Sequence, residues 1–401
     1  MPGTIHLRPG HVQPVWTGHP WVFAQAIARV DGTPQSGDEV TVLDPRGNFL
    51  GRGFYSPQSA IPVRLLTRDR DVALDAAFLE SRIGAAAAWR RRVLGLPGAD
   101  TNGFRLVHAE GDGLPGLVVD AYDDVVAMQL LTAGMKRRQD AIIDALVKVT
   151  GAKSVIEVAS ARHQKIEGFE VTEGVVFGPQ VSKLAFLERG FQWEVHPPGH
   201  PGGGGQKTGY YFDQRETRSM VEGIAAGLRV LDVYSYTGGF ALAAARGGAR
   251  EVVGVDSSAL ALESAAAAAG RAGLAERVRW VRGDARKVMT QFHADGEKFD
   301  FVVIDPPKLA LGTRDVEEAR GHYRKLNALA VKLVAPGGLL VTCSCSQAIG
   351  GSEFLRAVAT GARESGREVM VLRLLGQPPD HPVPAAFPEG RYLKVVLARI
   401  P

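Results

Sequence analysis

Cysteine is almost absent from this chain. Its 401 residues include only Cys343 and Cys345, both in the stretch VTCSCSQ. Two cysteines exclude a disulfide framework, and a bond between positions two apart in one strand would be badly strained. They also exclude a cysteine-built structural zinc, which takes four ligands, so no metal is expected. An uninterrupted apolar run of about 18 or more residues is missing too, so neither a transmembrane helix nor a membrane partner is expected. The opening MPGTIHLRPGHVQP lacks the apolar core of a secretory signal, and a cytoplasmic location is the default expectation. A large excess of one charge is also lacking. With 47 Lys and Arg against 43 Asp and Glu the net charge is +4, which permits a polyanionic partner without demanding one. What is present, 45% hydrophobic and 22% charged residues, reads as soluble and globular. The length suits two or three domains.

Residues 1–72 read as all-β. GDEVTVLDPRGNFLGRGFYSP alternates apolar and polar residues around the turn Pro45-Arg46-Gly47-Asn48, and SAIPVRLLT reads as a further strand. From Leu74 the spacing of DAAFLESRIGAAAAWRRRVLGL is helical and stops near Gly95 and Pro97. GLPGLVVDAYDDVVAMQLL reads as a hairpin. A helix near 136–149 and strands near 154–159 and 169–176 complete a central α+β region over 73–195. HPPGHPGGGGQ opens a Gly/Pro-rich linker at 196–209. From 210 to 401 the rhythm is strand, helix, strand: LRVLDVYS, EVVGVD, RVRWVRGD, FDFVVIDPP and GLLVTCS, with helices between them. Such alternation predicts a parallel sheet covered on both faces. VMVLRLLG and YLKVVLARI, joined by a short proline-rich link, are expected to end it as an antiparallel edge.

VLDVYSYTGGF places a glycine turn at the carboxyl end of the first of these strands, where open α/β sheets bind ligands. It is neither GxGxxG nor a P-loop. Asp232, Tyr234, Ser235, Thr237, Gly238 and Gly239 form the candidate cofactor turn, with the two glycines allowing close backbone approach. Asp256 ends the second strand, where a carboxylate can accept ribose hydroxyls. Asp284 ends the third, where one can accept an adenine amino group. Three strand-end acids suit adenosine carrying a cationic sulfonium and no phosphate, which is S-adenosylmethionine. The competing reading of any single Asp is a helix cap.

Asp305-Pro306-Pro307-Lys308 follows FVVI directly. The prolines stop the strand and hold Asp305 at the sheet edge beside the methyl donor, where it can meet a base as well as the cofactor. The same element serves enzymes that methylate amino groups, and a rigid turn with Asp305 as N-cap is the bland alternative. Lys308 can contact phosphate or lie in solvent. Cys343 and Cys345 share a strand face. They are either small buried hydrophobes or include a nucleophile. Cys345 lies farther toward the ligand edge and is the better candidate, with Cys343 pointing into the sheet packing. A methyltransferase needs such a thiol for carbon 5 of a pyrimidine, which is too weak a nucleophile until a thiolate adds at carbon 6.

With these pieces placed, the chain resembles the RlmI/RlmO-type cytosine-5 methyltransferases of large-subunit ribosomal RNA over nearly its full length. HLRPGHVQPVWTGHPWVFAQAI and GNFLGRGFYSPQSAIPVRLLT resemble that family's PUA domain. FRLVHAEGDGLPGLVVDAYDDVVAMQLLTAGM resembles its central domain, and KTGYYFDQRETR, VLDVYSYTGGF, VIDPPK, TCSCS and DHPVPAAFPEGRYLK its catalytic domain. The resemblance implies an α/β chain with a small N-terminal β-barrel PUA domain, a central α+β domain, and a C-terminal Rossmann-like methyltransferase domain built on a mostly parallel seven-stranded sheet. It implies Cys345 as nucleophile, ribosomal RNA as partner and a homodimer. It also implies that Tyr211, Asp213, Gln214 and Arg215 lie over the cofactor, where residue patterns alone suggest a helix start capped by Asp213. Arg90-Arg91-Arg92 and Lys136-Arg137-Arg138 are candidate phosphate contacts, although runs this short are often solvated helix faces.

Overall fold

The alternating segment 37–55 folds as its pattern predicts. In the computed structural model, which describes residues 3–170, 173–197, 208–309 and 316–401, Asp44 accepts hydrogen bonds from the backbone of Arg46 and Asn48 at 2.7 and 2.8 Å and closes the turn between two antiparallel strands. The first 67 residues hold β1 (Gly3–Leu7), a short helix α1 (Val12–Trp16), β2 (Trp21–Val22), β3 (Ile27–Asp31), β4 (Glu39–Leu43), β5 (Phe49–Tyr55) and β6 (Val63–Thr67). Their order in one six-stranded sheet is β2-β6-β5-β4-β1-β3, with β1 and β4 parallel. Helix α1 is an addition to the all-β expectation.

Helix α2 (Ala76–Trp89) starts where Asp75 accepts from the Phe78 backbone at 2.9 Å. It buries Phe78, Leu79, Ile83, Ala86 and Ala87, runs on through a π turn, and stops at Gly95 in left-handed conformation. Its apolar face covers a sheet of β7 (Gly103–His108), β8 (Leu117–Tyr122), β9 (Val125–Leu130), β10 (Ser154–Glu157) and β11 (Gly174–Phe177). Helices α3 (Ala133–Lys136), α4 (Gln139–Thr150) and α5 (Ala161–Glu167) and strand β12 (Leu184–Glu188) complete this part. The 196–209 linker falls mostly outside the described residues.

The basic runs do not behave as solvated faces. Arg90 is fully buried and forks onto Asp112 at 2.7 and 2.8 Å. Lys136 holds both oxygens of Glu157 at 2.7 and 2.8 Å, Arg137 pairs with Asp38 at 2.6 Å, and Arg138 lies 3.7 Å over the Phe54 ring. Arg90, Lys136, Arg137 and Arg138 are therefore engaged in holding the fold. Arg91 and Arg92 are exposed on their helix, and Arg137 is exposed beside its ion pair.

The chain divides into two compact units. The first takes the residues up to Gly190, the described part of 196–212, and Pro379–Gly390. The second takes Phe191–Val195, Asp213–Pro378 and Arg391–Pro401. The link between the last two strands is thus longer than expected and belongs largely to the first unit. There the Asp380 carboxylate accepts from the Arg105 backbone at 3.1 Å, its carbonyl accepts from Arg90 at 2.7 Å, and Phe387 packs against Trp21 with ring centroids 4.6 Å apart.

The second unit contains β13 (Phe191–Val195), α6 (Arg215–Ile224), β14 (Arg229–Val233), α7 (Gly239–Arg246), β15 (Glu251–Asp256), α8 (Ala259–Arg271), β16 (Val278–Arg282), α9 (Ala285–Ala294), β17 (Phe299–Ile304), α10 (Val316–Leu333), β18 (Val334–Ser344), α11 (Gly351–Glu364), β19 (Met370–Leu375) and β20 (Lys394–Arg399). The sheet order is β16-β15-β14-β17-β18-β20-β19. The five strands from β14 to β18 pair in parallel, and β20 joins β18 and β19 antiparallel. The expected Rossmann-like sheet with an antiparallel end is present. Strand order reverses between β14 and β17, which opens a crevice at their carboxyl ends. Among the described residues no helix is long and apolar enough to cross a membrane.

Candidate active site

The turn after β14 is strained and tightly tied. Tyr234 and Tyr236 take left-handed conformations, φ 65° and 50°, at a typical cost of about 1–3 kcal/mol each. Ser235 donates from its backbone to Val255 at 3.0 Å and accepts from Gly238 at 2.8 Å. Gly238, at φ 83°, caps α7, and Gly239 is its first residue. The bareness of Gly238 makes room for a protein neighbour. A β-carbon there would lie 2.5 Å from the Trp280 ring, and one at Gly254 would lie 2.4 Å from it. The Tyr234 ring packs on the hydrophobic core and its hydroxyl meets Arg286, so only its backbone lines the turn. Ser235 and Thr237 are buried.

The three strand-end acids have distinct surroundings. Asp232 is fully buried. One oxygen accepts from the Ala241 backbone at 2.9 Å, and Oδ1 has no partner. Burial, with repulsion from Asp305 and Asp256, raises its pKa to about 8, and buried Arg218 partly offsets this. Asp256 is gripped by two backbone donors, Tyr236 and Ser258, each at 2.8 Å, which fixes its carboxylate at the end of β15. Asp284 is exposed and caps α9 by accepting from Lys287 at 3.0 Å. It performs the cap role weighed against it, while standing at the expected strand end. Buried Ser235 Oγ and Gln214 Oε1 also have no partner. An ammonium or hydroxyl-bearing ligand at the end of β14 would donate to such atoms, so these acceptors fit the amino-acid and ribose parts of S-adenosylmethionine.

A second group gathers where β17 and β18 end. Gln214 donates to Asp305 Oδ2 at 3.0 Å, and its amide also meets the Cys343 thiol. Gln214 caps α6, while Asp213, buried just before it, accepts from the Tyr392 hydroxyl at 2.7 Å. The expected cap is therefore one residue later than Asp213. Arg215 begins α6, and Tyr211 belongs to the first unit. Cys343 is fully buried, yet it borders the Gln214–Asp305 pair as well as the sheet. Burial, then Asp305, pushes its thiol well above the ordinary range and keeps it neutral. Cys345, just past β18, is partly exposed. Lys308 is exposed on the loop after β17.

Three residues here escaped the sequence reading. Tyr323 of α10 is buried with its hydroxyl 3.1 Å from Ser346 Oγ. Burial pushes it up to about 12, helped by the charges of Cys345 and Asp305. Lys394 donates to the carbonyls of Ser346 and Tyr392 at 2.6 and 2.8 Å. Tyr392 and Lys394 stood in the quoted stretch RYLK without an assigned role. Among the described residues no group of three or more His, Cys, Asp or Glu is placed to hold a metal ion.

Comparison with known proteins agrees with this fold. Residues 5–68 match the family model for a PUA-like domain, and residues 105–397 match that for an S-adenosylmethionine-dependent methyltransferase. The Ribosomal RNA large subunit methyltransferase I of Klebsiella pneumoniae (strain 342) is 37% identical over 396 residues, covering 98% of this chain and 97% of that protein. The protein of the same name from Photobacterium profundum is 38% identical, covering 98% of each. A solved structure described as a SAM-dependent methyltransferase from Streptococcus mutans superposes with TM-score 0.84 over 100% of both chains. Another, described as a methyltransferase complexed with SAH, gives 0.85 over 100% of both; at 20% identity each speaks for the fold. The chain belongs to the family of S-adenosylmethionine-dependent methyltransferases, with these Ribosomal RNA large subunit methyltransferase I proteins as relatives, and it carries a PUA-like domain over residues 5–68.

Proposed function

We propose that this protein methylates carbon 5 of a cytosine in large-subunit ribosomal RNA, with Cys345 as covalent nucleophile. The observation that carries this reading is the inequality of the two cysteines. Cys343 is sealed and held neutral, whereas Cys345 is partly exposed at the end of β18, next to the strand that delivers Asp305. The names of the relatives support ribosomal RNA as substrate. The PUA-like domain supports RNA binding, and exposed Arg91 and Arg92 are candidate phosphate contacts.

Asp232, Ser235, Thr237 and the backbone of the Tyr234–Gly239 turn hold the amino-acid side of the cofactor. Asp256 holds the ribose and Asp284 the adenine edge, with Asp213, Gln214 and Arg215 as the covering segment. When bound, S-adenosylmethionine supplies an electrophilic methyl group to carbon 5. The target base is first unstacked from its RNA. Cys345 Sγ, as thiolate, forms a bond to carbon 6 and makes carbon 5 nucleophilic. Asp305, positioned by Gln214, carries a proton when the base binds, gives it to the ring nitrogen as negative charge develops there, and takes it back on elimination. After transfer the carbon-5 proton leaves to solvent. Its electron pair restores the ring double bond, and the sulfur–carbon pair returns to Cys345. Lys308, exposed beyond Asp305, is positioned for the RNA backbone.

A homodimer forms part of the proposal. Edge strand β19 exposes Met370, Val371, Leu372 and Leu374, each about half accessible at 47–59%, an edge that invites pairing with another strand.

The test is to methylate unmodified ribosomal RNA with wild type and Cys345→Ala and to locate the methyl group in the product nucleoside. The expected result is 5-methylcytidine from wild type, and bound cofactor without turnover from the variant. A methyl group on a nitrogen, or normal turnover by Cys345→Ala, would overturn the reading.

A further inference from the structure

The thiol of Cys345 must be ionised to attack, and an ordinary cysteine is mostly protonated at neutral pH. Lys394 is the group placed to change that. It stands opposite Ser344 in the antiparallel pairing of β18 with β20. Its Nζ reaches the carbonyl of Ser346, the residue that follows Cys345, at 2.6 Å and that of Tyr392 at 2.8 Å. Two carbonyl acceptors fix the amine against the turn that carries the thiol. A protonated amine has a third N–H to direct elsewhere.

We propose that Lys394 is a positioning residue whose ammonium, anchored by the Ser346 and Tyr392 carbonyls, holds Cys345 as a thiolate. This rests on the reading of Cys345 as the nucleophile and goes beyond it. The other ionisable groups around the pair are Tyr323, Lys308, Asp305 and Cys343. Tyr323 and Cys343 are held neutral by burial, and the charge of Asp305 raises both further. Lys308 repels the ammonium, while Cys345 favours it. Burial brings Lys394 down to about 8, into the range where an amine and a thiol compete for one proton. In that competition the proton passes from sulfur to nitrogen before attack. Lys394 keeps it while the sulfur–carbon bond forms and breaks, and the returning thiolate meets the same ammonium.

The experiment follows alkylation of Cys345 by iodoacetamide in the full-length protein across pH 5–10. The modified site is read by fragment mass, and folding is checked by melting. Lys394→Met should slow alkylation at pH 7 about tenfold and raise the midpoint by about one unit. Lys394→Arg, with a permanent charge, should keep the midpoint at or below that of wild type. An unchanged profile in Lys394→Met overturns the proposal. Should that variant not fold, a midpoint raised by about a full unit in Lys394→Arg overturns it instead. Alkylation needs no methyl transfer, so this outcome is independent of whether Cys345→Ala retains turnover.

Discussion

The two units differ in how their buried charged groups are tied. In the first, buried charge is saturated. Arg90 contacts both oxygens of Asp112 and the carbonyls of Arg105 and Asp380. Arg105 forks onto Asp120 at 2.6 and 3.1 Å, and the Thr208 hydroxyl donates to the same carboxylate. Buried Glu167 accepts from Ser56 at 2.5 Å and Arg64 at 3.0 Å. In the second unit the buried groups around the glycine turn are left open: Asp232 Oδ1, Ser235 Oγ and Gln214 Oε1. A saturated network specifies one packing. An open one carries a desolvation cost that a ligand can relieve. The contrast marks the second unit as the place of chemistry.

Breaking the saturated side should have the largest effect. Arg90→Ala strands Asp112 in a buried site and should cost about 3–5 kcal/mol, the usual penalty for removing one partner of a buried ion pair. Urea unfolding measures it, and a loss under about 1 kcal/mol would show that the network is slack. Cofactor binding by the folded fraction should be unchanged. On the open side, Gly238→Ala forces a side chain into left-handed backbone and against Trp280. It should cost about 1–3 kcal/mol and weaken cofactor binding by distorting the turn. Thermal melting and equilibrium dialysis check both parts. A stable variant with normal affinity would show that the turn tolerates repacking.

How much of this was legible in the sequence depends on the residue. The strand–helix rhythm of the second unit was plain because its strands are apolar runs closed by turn signals. Burial of Arg90 was also written there. Ile83, Ala86 and Arg90 follow the three- and four-residue spacing of one helical stripe, so Arg90 falls on the apolar face while Arg91 and Arg92 turn outward. Lys394 opens β20, whose next four residues are buried on both strand faces, so alternation does not place it. A basic residue on an apolar stripe like that of Arg90 is buried only where an acid such as Asp112 meets it, and that acid is distant in sequence. The excursion of Pro379–Gly390 into the first unit had no such signal. DHPVPAAFPEG has no periodicity, and its anchors Arg90 and Arg105 lie nearly three hundred positions earlier. The Trp280 contact that requires Gly238 was hidden for the same reason, since it joins two strands' ends through tertiary packing.

The sharpest measure of the open side is its response to pH. Asp232 has a folded-state pKa raised to about 8 by burial, against an unfolded value of about 3.9. Between these values the folded protein holds a proton that the unfolded chain has released. Stability of the cofactor-free protein is therefore highest on this account below about pH 4 and falls as pH rises through about 8, with a slope of at most about 1.4 kcal/mol per pH unit. Asp232→Asn keeps the shape and removes the titration. The difference in unfolding free energy between wild type and variant should move in the variant's favour from pH 5 to pH 8 and level off above. A difference independent of pH would mean that Asp232 is already ionised and partnered, and the site would then be no more open than the ion pairs of the first unit. Saturating cofactor should flatten the same curve, because a cation set against Oδ1 favours the carboxylate and takes over the role that the retained proton plays without it.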